Sequence, residues 1–460
     1  MKLLYRCCAG LDIHRDTVSA CIRKRVRGQA EAHIEEQVFG TFTQELERLR
    51  AWLKTHKVRQ VAMESTGVYW IPVWNVLERG NRFTLTLVNP ATVRALQGQK
   101  TDRIDARRIA EYLQYGLLRG SFIPPKPIRE LRELTRMRVH IQQDRNRVGN
   151  RIARLLETVN LKLASVASHI LGSSGRAMLH LLASGVRDPE RLAECARGQL
   201  RIKIPALILA LDGRPDAHFC WMLSEFLGKL DRLEEERARV DARLDELALP
   251  YADVLQRLST IPGVDRTTAL ILIAEFGTDM TQFPTAAHLA SWAGLCPGNA
   301  ESAGKRFSGR TRKGDRYVRR ILVQSAWATS RCSDCFLAAL FFRTAQRRGL
   351  KKAAVAVAHR IAIIAWHILA EPAVEYRERG GDHFDRRNPE RTAHKLARRL
   401  EAIGYKVTLT PPPKPPAPKP RPTKPVPLLD PKICPRCARW HLPRCICLLK
   451  HNKHTSHPPT

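Results

Sequence analysis

The sequence predicts an α/β domain, then a mainly α-helical chain, then a disordered basic tail. Short apolar, β-branched runs alternate with amphipathic segments at the start of the chain. Farther on, apolar residues recur every three and four positions along two long segments, which is typical of long packed helices. Residues 411–427 then contain ten prolines among seventeen positions. These changes of pattern predict four parts, residues 1–127, 128–250, 251–375 and 376–460.

The charge balance indicates a polyanionic partner. The 460 residues include 78 Lys and Arg against 44 Asp and Glu, a net charge of +34. Solubility requires far less charge, so nucleic acid is the expected partner. The start of the chain has no apolar stretch of signal-peptide length, and no run approaches the roughly 20 apolar residues of a membrane span. We therefore expect a soluble, intracellular protein that handles nucleic acid.

Four carboxylates near the N-terminus form the first candidate site. Asp12 and Glu64 each lie near the end of a strand-like run, and Asp102 and Asp105 lie three apart at the head of an amphipathic segment. Singly, each is typical of a turn or a helix cap. Gathered together they would repel one another unless a divalent cation neutralised them. Hard oxygen ligands suit Mg²⁺ or Mn²⁺, and two such ions can clamp a phosphodiester displacement.

The elements around these carboxylates follow from local patterns. The predicted order is strand Cys7–Ile13, strand Thr17–Lys24 as its antiparallel partner, strand 37–42, helix 44–55, strand Gln60–Ser65, helix 69–79, strand 82–88 and the helix that starts at Asp102. Asn89 and Pro90 stop the last strand, and three prolines within 121–127 close the domain. Strand-Asp, strand-Glu and helix-Asp-x-x-Asp, in that order, resemble a ribonuclease-H-like nuclease core, in particular the RuvC branch.

Two long segments predict the arms of an antiparallel coiled coil. Their apolar residues alternate in spacing between three and four: Leu131, Leu134, Ile141, Val148, Ile152, Leu155 and Val159, then Leu223, Phe226, Leu230, Leu233, Val240, Leu244 and Leu247. Arg138, Arg145 and Arg237 occupy seam positions, where a charge weakens pairing but can fix register. The pattern fits plain packing within one chain, and equally a stalk that dimerises or spans nucleic acid.

The next unit begins with a helix-hairpin-helix-like segment. Two predicted helices flank the turn IPGV at residues 261–264. Such a turn can present backbone N–H groups to a phosphate, which would be sequence-independent DNA binding. Asp265, however, places an acid where phosphate would lie. Phosphate contact and a purely structural hairpin both remain open.

A basic loop follows and contains a candidate nucleophile. Residues 305–320 hold eight Lys or Arg and one acid, Asp315, so this loop is a candidate for gripping phosphates. Ser302 lies just before it. Serine in a loop is usually a turn residue. As a nucleophile, Ser302 would need activation by carboxylates or a metal brought from elsewhere in the fold or from another protomer.

Five motifs in this order resemble the DEDD transposases of the IS110 type, also called bridge-RNA-guided recombinases, over residues 1 to about 375. They are GLDIHRD, MESTGVYW, KTDRIDARRIA, IPGVDRTTA and WAGLCPGNAESAGKRFSGRTRKGDRYVRR. The resemblance implies a RuvC-like domain whose Asp12, Glu64, Asp102 and Asp105 bind Mg²⁺, followed by a transposase domain. In that second domain Ser302 matches the serine that becomes joined to DNA.

The same resemblance implies the partners and the assembly. Family members work as tetramers, and the active site combines the RuvC-like domain of one subunit with the transposase domain of another. A noncoding bridge RNA pairs with donor and target DNA. The expected location is the prokaryotic cytoplasm, at the nucleoid.

The tail lies outside this resemblance. Its prolines and scattered basic residues predict an extended linker. Beyond it, Cys434, Cys437, Cys445 and Cys447 have the count for one structural Zn²⁺. The C-x-C spacing of the second pair is less common than C-x-x-C, so zinc binding and free thiols both remain open.

Three functions compete on the sequence. The favoured one is an RNA-guided DNA recombinase that uses Ser302. The alternative is a RuvC-like structure-specific endonuclease that hydrolyses DNA with the four carboxylates alone. The third is a nonenzymatic nucleic-acid-binding protein whose carboxylates are structural.

Overall fold

The computed structural model of the chain describes residues 3–25, 31–65, 67–90, 102–298, 300–302 and 305–410, without the side chains of residues 65, 102–104, 300–302 and 305–308. The chain divides into two compact units, Met1–Phe384 and Asp385–Thr460. The first unit contains every described residue of the predicted site. The predicted tail cysteines lie outside the described residues.

A five-stranded sheet forms the N-terminal part of the first unit. Its strands are β1 (Cys7–Ile13), β2 (Thr17–Lys24), β3 (His33–Gly40), β4 (Gln60–Ser65) and β5 (Thr84–Val88). They lie in the order β3-β2-β1-β4-β5. The first three strands form an antiparallel meander, and β4 and β5 run parallel to β1. The predicted α/β character of this region is confirmed, while its assignment to the RuvC-like class stays a prediction.

Two strand boundaries differ from the prediction. The third strand is His33–Gly40 rather than 37–42, because it pairs with the whole of β2, from Lys24↔His33 to Thr17↔Gly40. β5 begins at Thr84 rather than at residue 82, since its parallel pairing with β4 begins there. In both cases the register with a neighbouring strand sets the boundary, and local composition does not contain that information.

Helices cover both faces of the sheet. Helices α1 (Thr43–Thr55) and α2 (Trp70–Glu78) pack on one face, and helix α3 (Asp102–Gln114) packs on the other. β-strand side chains alternate between faces, so Leu11 and Ile13 of β1 enter the core with α1 and α2. Cys8, two residues before Gly10 on the same strand, faces α3 instead.

Two long helices follow the sheet domain. Helix α4 (Lys126–Thr158) packs against a second long helix, Ala217–Ala248, in the antiparallel sense, because Arg138 pairs with Asp241 and Arg145 with Glu234. The two seam arginines of α4 therefore each find an acid on the partner helix, whereas Arg237 lies 3.9 Å from Asp241 of its own helix. The helix pairing within one chain supports the interpretation as intramolecular packing, and the coiled-coil assignment itself stays a prediction.

Short helices join the two long ones. In chain order they are α5 (Leu163–Val166), α6 (Ser173–Ala183), α7 (Pro189–Ala193), a 3₁₀ segment at Gly198–Lys203 and α8 (Ile204–Leu211); the second long helix, Ala217–Ala248, is α9. Their apolar residues form a core of their own with the adjoining ends of α4 and α9. This end of the helix pair is thus a small helical subdomain.

The C-terminal part of the first unit is a helical bundle. Its elements are α10 (Ala252–Ser259), α11 (Arg266–Phe276), α12 (Ala286–Trp292), the short strands β6 (Ala300–Ser302) and β7 (Lys305–Ser308), α13 (Arg316–Thr329), α14 (Phe336–Arg348) and α15 (Leu350–Ala370), with 3₁₀ turns at Leu249–Tyr251 and Met280–Gln282. The short helix α16 (His383–Arg386) includes the boundary between the two units. In the second unit, α17 (Pro389–Glu401) begins at an Asn388 cap.

Helix α15 is the one described helix that is long and apolar enough to cross a membrane, with a mean hydropathy of 1.7. Half of its apolar window is buried within the protein. Ala353, Val357, Ile361 and Ala365 lie in the core of the bundle with α13 and α14. Burial of this kind is what a central helix of a globular bundle shows.

Candidate functional site

Asp12 and Glu64 are neighbours on adjacent parallel strands. They are register partners between β1 and β4, so their Cα atoms lie about 5 Å apart and both side chains leave the same face of the sheet. Asp12 is 7% exposed, and Glu64 is half-buried. Two carboxylates this close favour a cation between them, because like charges otherwise raise each other's pKa.

Gly10 lets helix α3 lie directly on β1. A Cβ atom built on Gly10 would be 2.3 Å from both the carbonyl oxygen of Ala106 and the backbone nitrogen of Ala110. Side chains separated by two residues point to the same face of a strand, so Gly10 and Asp12 both face α3. The absence of a side chain at residue 10 therefore sets how closely this helix approaches the carboxylates.

The direction of α3 brings its acidic end toward Asp12. The Sγ of Cys8 donates to the carbonyl oxygen of Ala110 at 3.3 Å, and the backbone nitrogen of Leu4 donates to the carbonyl oxygen of Gln114 at 2.9 Å. The helix thus runs antiparallel to β1, and its N-terminal end, with Asp105, lies toward the strand end that carries Asp12 and Glu64. Asp102 is the first residue of α3, and its side chain lies outside the described atoms.

His14 is a polar neighbour of the site that the sequence reasoning missed. Its Nε2 is 3.1 Å from Oδ2 of Asp12. The two residues are separated by two positions at the end of an extended strand, so both side chains point to the same side. The Asp-x-His spacing in the motif GLDIHRD could have predicted this contact from the sequence. The contact places an imidazole beside the Asp12 carboxylate at the C-terminal end of β1.

The thiols under helix α3 are structural. Burial raises the pKa of Cys8 and of Cys21 to about 12. Both thiols therefore stay protonated at neutral pH and behave as small core side chains.

The oxygen-rich donor set suits a hard divalent cation. Asp12, Glu64 and Asp105 supply carboxylates only, which is the preference of Mg²⁺ and Mn²⁺. Among the described side chains, no three His, Cys, Asp or Glu groups are close enough to hold a metal ion. Three of the four predicted ligands, Asp12, Glu64 and Asp105, have described side chains and do not form such a group, and the side chain of the fourth, Asp102, is not described. The metal site therefore stays a prediction.

Ser302 lies in a strand pair whose base is fixed to the bundle. Ser302 ends β6, and its register partner in β7 is Lys305. We call residues 300–302 and 305–314 the serine loop. At its base the backbone nitrogen of Gly298 donates to the carbonyl oxygen of Arg310 at 2.9 Å. A Cβ atom on Gly314 would lie 2.3 Å from the nitrogen of Gly294, so the backbone segments touch there.

The serine loop and the carboxylates belong to different parts of the unit. In the described part of the chain, β6 and β7 make no extensive packing contact with β1–β5 or α3. The structure pairs Asp12 with Glu64 and directs the N-terminal end of α3 toward them, but Asp105 does not complete a three-residue metal site with them among the described side chains. It does not bring Ser302 to them by direct packing of these elements. This separation is compatible with the sequence-based expectation that carboxylates or a metal from elsewhere in the fold, or from another protomer, would activate Ser302.

The IPGV turn packs against the bundle. Gly263 has a φ of 79°, and a Cβ atom there would lie 2.3 Å from Oγ1 of Thr329. Thr329 Oγ1 in turn donates to the carbonyl oxygen of Pro262 at 3.0 Å. Asp265 caps α11 by accepting from the backbone nitrogen of Thr268 at 2.8 Å. A carboxylate thus occupies the helix N-terminus that a phosphate would need, which favours the structural interpretation of this hairpin.

Two transposase family models match separate parts of the chain. Residues 9–161 match the model for DEDD transposases of the IS110 type, described as a transposase. Residues 255–340 match a model described as a transposase of the IS116/IS110/IS902 family. The first match contains all four predicted carboxylates, and the second contains Ser302.

Individual relatives agree with these matches. A probable family 20 transposase of Pseudomonas aeruginosa is 28% identical over 356 residues, which cover 73% of this chain and 93% of that protein. The transposase for insertion sequence element IS1111A of Coxiella burnetii is 25% identical over 373 residues, which cover 78% of this chain and 88% of that protein. An insertion element IS110 protein of 43.6 kDa from Streptomyces coelicolor is 40% identical over 103 residues, 22% of this chain and 24% of that protein.

Proposed function

The chain belongs to the IS110 family of insertion-sequence transposases, and we propose that it cuts and rejoins DNA through a covalent link between Ser302 and a DNA phosphate. The structural observation that supports its metal-dependent half is the register pairing of Asp12 with Glu64, toward which the N-terminal end of α3 is directed. The role of Ser302 is supported by its place in the second family match. Two carboxylates on one face of a sheet can bind a divalent cation that assists cleavage of a phosphodiester bond.

The carboxylates would hold the divalent cation. Asp12, Glu64, Asp102 and Asp105 are the proposed ligands, and Mg²⁺ or Mn²⁺ is the ion that suits them. When bound, the ion would lower the energy of the charge that develops on the scissile phosphate. His14 orients the Asp12 carboxylate through the contact at 3.1 Å.

The reaction proposed for Ser302 is a transesterification. A bond forms between Oγ of Ser302 and the phosphorus atom while one phosphorus–oxygen bond of the DNA strand breaks. The hydroxyl proton passes to a carboxylate, and the released DNA oxygen takes up a proton. The phosphodiester is conserved in the protein–DNA link, so rejoining needs no external energy source. Basic side chains of the serine loop, such as Arg310 and Arg312, would grip the neighbouring phosphates.

The assembly we propose places the two halves of the site on different subunits. The serine loop does not pack on the carboxylate sheet in the described part of the chain, which supports a composite site within a homotetramer. The net charge of +34 supports simultaneous binding of a guide RNA together with donor and target DNA. Guide recognition would use backbone contacts, with sequence read by base pairing.

A denaturing gel separates this mechanism from hydrolysis. Protein, the noncoding RNA of its own element, Mg²⁺ and labelled DNA would be incubated and then denatured. Transesterification predicts a DNA band that migrates with the protein and disappears in Ser302→Ala. The alternative RuvC-like endonuclease predicts free cleaved strands that persist in Ser302→Ala.

Mixing two inactive proteins tests the composite site. Asp12→Asn and Ser302→Ala would each fail alone, and an equimolar mixture would recover adduct formation if the two halves act between subunits. A mixture that stays inactive, with both variants folded and assembled, would place both halves in one chain.

A further inference from the structure

We propose that Arg136 is a positioning residue for the serine loop, acting through Asp315. The proposal rests on the proposed role of Ser302 and adds a link that holds its loop in place. The link consists of three residues that are far apart in sequence, Glu275 on α11, Arg136 on α4 and Asp315, which directly follows the serine loop.

Glu275 is the fixed point of the link. Its side chain is completely buried, and the guanidinium group of Arg136 grips it with two parallel hydrogen bonds, Nε to Oε1 at 2.7 Å and Nη2 to Oε2 at 2.8 Å. Arg132 contacts the same carboxylate at 3.1 Å and donates to the carbonyl oxygens of Ala274 and Glu275. A buried carboxylate held by two guanidinium groups has little freedom to move.

Arg136 extends this fixed point to the serine loop. Its Nη2 also reaches Oδ2 of Asp315 at 3.3 Å, and its guanidinium group lies over the ring of Tyr317 at 4.5 Å. His140, one turn farther along α4, hydrogen-bonds the hydroxyl of Tyr317 at 3.0 Å. The start of α13 is therefore held against α4 by an ion pair and an aromatic contact.

Asp315 performs two separate tasks. Its Oδ1 caps α13 by accepting from the backbone nitrogens of Tyr317 and Val318, both at 2.9 Å. Its Oδ2 takes the ion pair with Arg136. Asp315 directly follows Gly314, whose backbone touches Gly294 at the base of the serine loop. The position of Asp315 therefore fixes the C-terminal end of the serine loop, and Ser302 lies near the other end of that loop.

The two tasks can be separated by one substitution. Asparagine caps helices as well as aspartate does, so Asp315→Asn keeps the cap and removes the ion pair. The chain offers a control in Asp265→Asn, since the Asp265 side chain caps α11 by accepting from one backbone nitrogen, that of Thr268, and has no ion pair among the described residues. Both substitutions change the net charge equally.

Of these two substitutions, only Asp315→Asn should slow formation of the Ser302–DNA adduct. Loss of a charge-assisted contact that positions the nucleophile should slow formation of the Ser302–DNA adduct about tenfold in Asp315→Asn. Asp265→Asn should stay within about twofold of the wild type, and both variants should still fold and bind DNA. Arg136→Lys, which cannot grip Glu275 with two parallel bonds, should resemble Asp315→Asn.

Hydrogen exchange tests the link without depending on formation of the protein–DNA adduct. Backbone amides of residues 306–314 should exchange faster in Asp315→Asn than in Asp265→Asn. Equal adduct rates and equal exchange in the two variants would overturn the positioning role. Wild-type protein that forms no adduct, or Ser302→Ala that still forms one, would instead refute the proposed function, and the exchange comparison would still decide the link.

Discussion

Gly10 of β1 lies directly against Ala106 of α3, with space between the two backbones for a hydrogen atom and for nothing larger. A methyl group at residue 10 would approach the carbonyl oxygen of Ala106 to 2.3 Å. We predict that Gly10→Ala displaces α3, lowers the free energy of unfolding by about 1–3 kcal/mol and abolishes DNA cleavage. Urea unfolding and the cleavage assay measure both effects.

Gly228→Ala is the control for this substitution. Gly228 lies inside α9, where the nearest atom to an added Cβ is the end of the Arg232 side chain at 3.7 Å. Alanine should raise helix stability there by up to about 1 kcal/mol. Equal unfolding free energies for the two variants would show that β1 and α3 do not touch in this way.

Glu78 and Arg129 join the sheet domain to helix α4. Arg129 donates to both carboxylate oxygens, at 3.0 and 2.7 Å, and this contact lowers the pKa of Glu78 below its ordinary value of 4.5. A carboxyl group whose pKa is lower in the folded than in the unfolded protein stabilises the fold at pH values above its unfolded-state pKa. That stabilisation is lost as the pH falls through the folded-state pKa. The melting temperature of Glu78→Gln should therefore lie below that of the wild type at pH 7, and the gap should close on acidification below pH 4.5.

Glu130→Gln is the matched variant for the pH experiment. Glu130 is exposed, and its pairing with Lys126 at 3.7 Å is a surface contact on the same helix. Surface pairs of this kind contribute little, so no pH-dependent gap is expected. If the difference in melting temperature between the wild type and Glu78→Gln did not depend on pH, the ion pair with Arg129 could not be its cause.

The antiparallel pairing of α4 with α9 makes a charge-swap prediction. Arg138 faces Asp241 across the helix pair. Arg138→Glu and Asp241→Arg should each destabilise the protein, and the double variant should recover most of the loss. We expect a coupling free energy of about 0.5–3 kcal/mol from urea unfolding. Simple additivity of the two losses would mean that these residues do not meet.

The parts of the site that local pattern encodes were predictable. The bounds of β1, β2 and β4 follow from β-branched runs that end in turn residues, and they match the structure at both ends. Asp12 and Glu64 were identified because each falls near the end of such a run. Because β1 and β4 are parallel neighbours, residues near their C-terminal ends lie beside each other, and Asp12 is the register partner of Glu64.

The long-range ion pairs could not be predicted. Arg136 is separated by 139 residues from Glu275 and by 179 from Asp315, and no periodicity relates such positions. Glu275 follows an almost wholly apolar run in α11, where sequence alone gives no sign of the arginines that neutralise it. The extent of β3 was missed for a related reason, because its pairing with β2 includes Glu35 and Glu36, which precede the predicted strand 37–42 and carry no β-branched or apolar pattern.

The most direct test of the central claim asks whether the sheet carboxylates control a bond to Ser302. Adducts formed with Mg²⁺, guide RNA and DNA would be digested, and mass spectrometry would locate the nucleotide on the protein for the wild type, Asp12→Asn, Glu64→Gln and the exposed control Asp16→Asn. The prediction is a nucleotide on Ser302 in the wild type and in Asp16→Asn, and at least about a hundredfold less in the two site variants with DNA binding kept. Undiminished adduct in Asp12→Asn and Glu64→Gln, or a nucleotide on another residue, would contradict the claim.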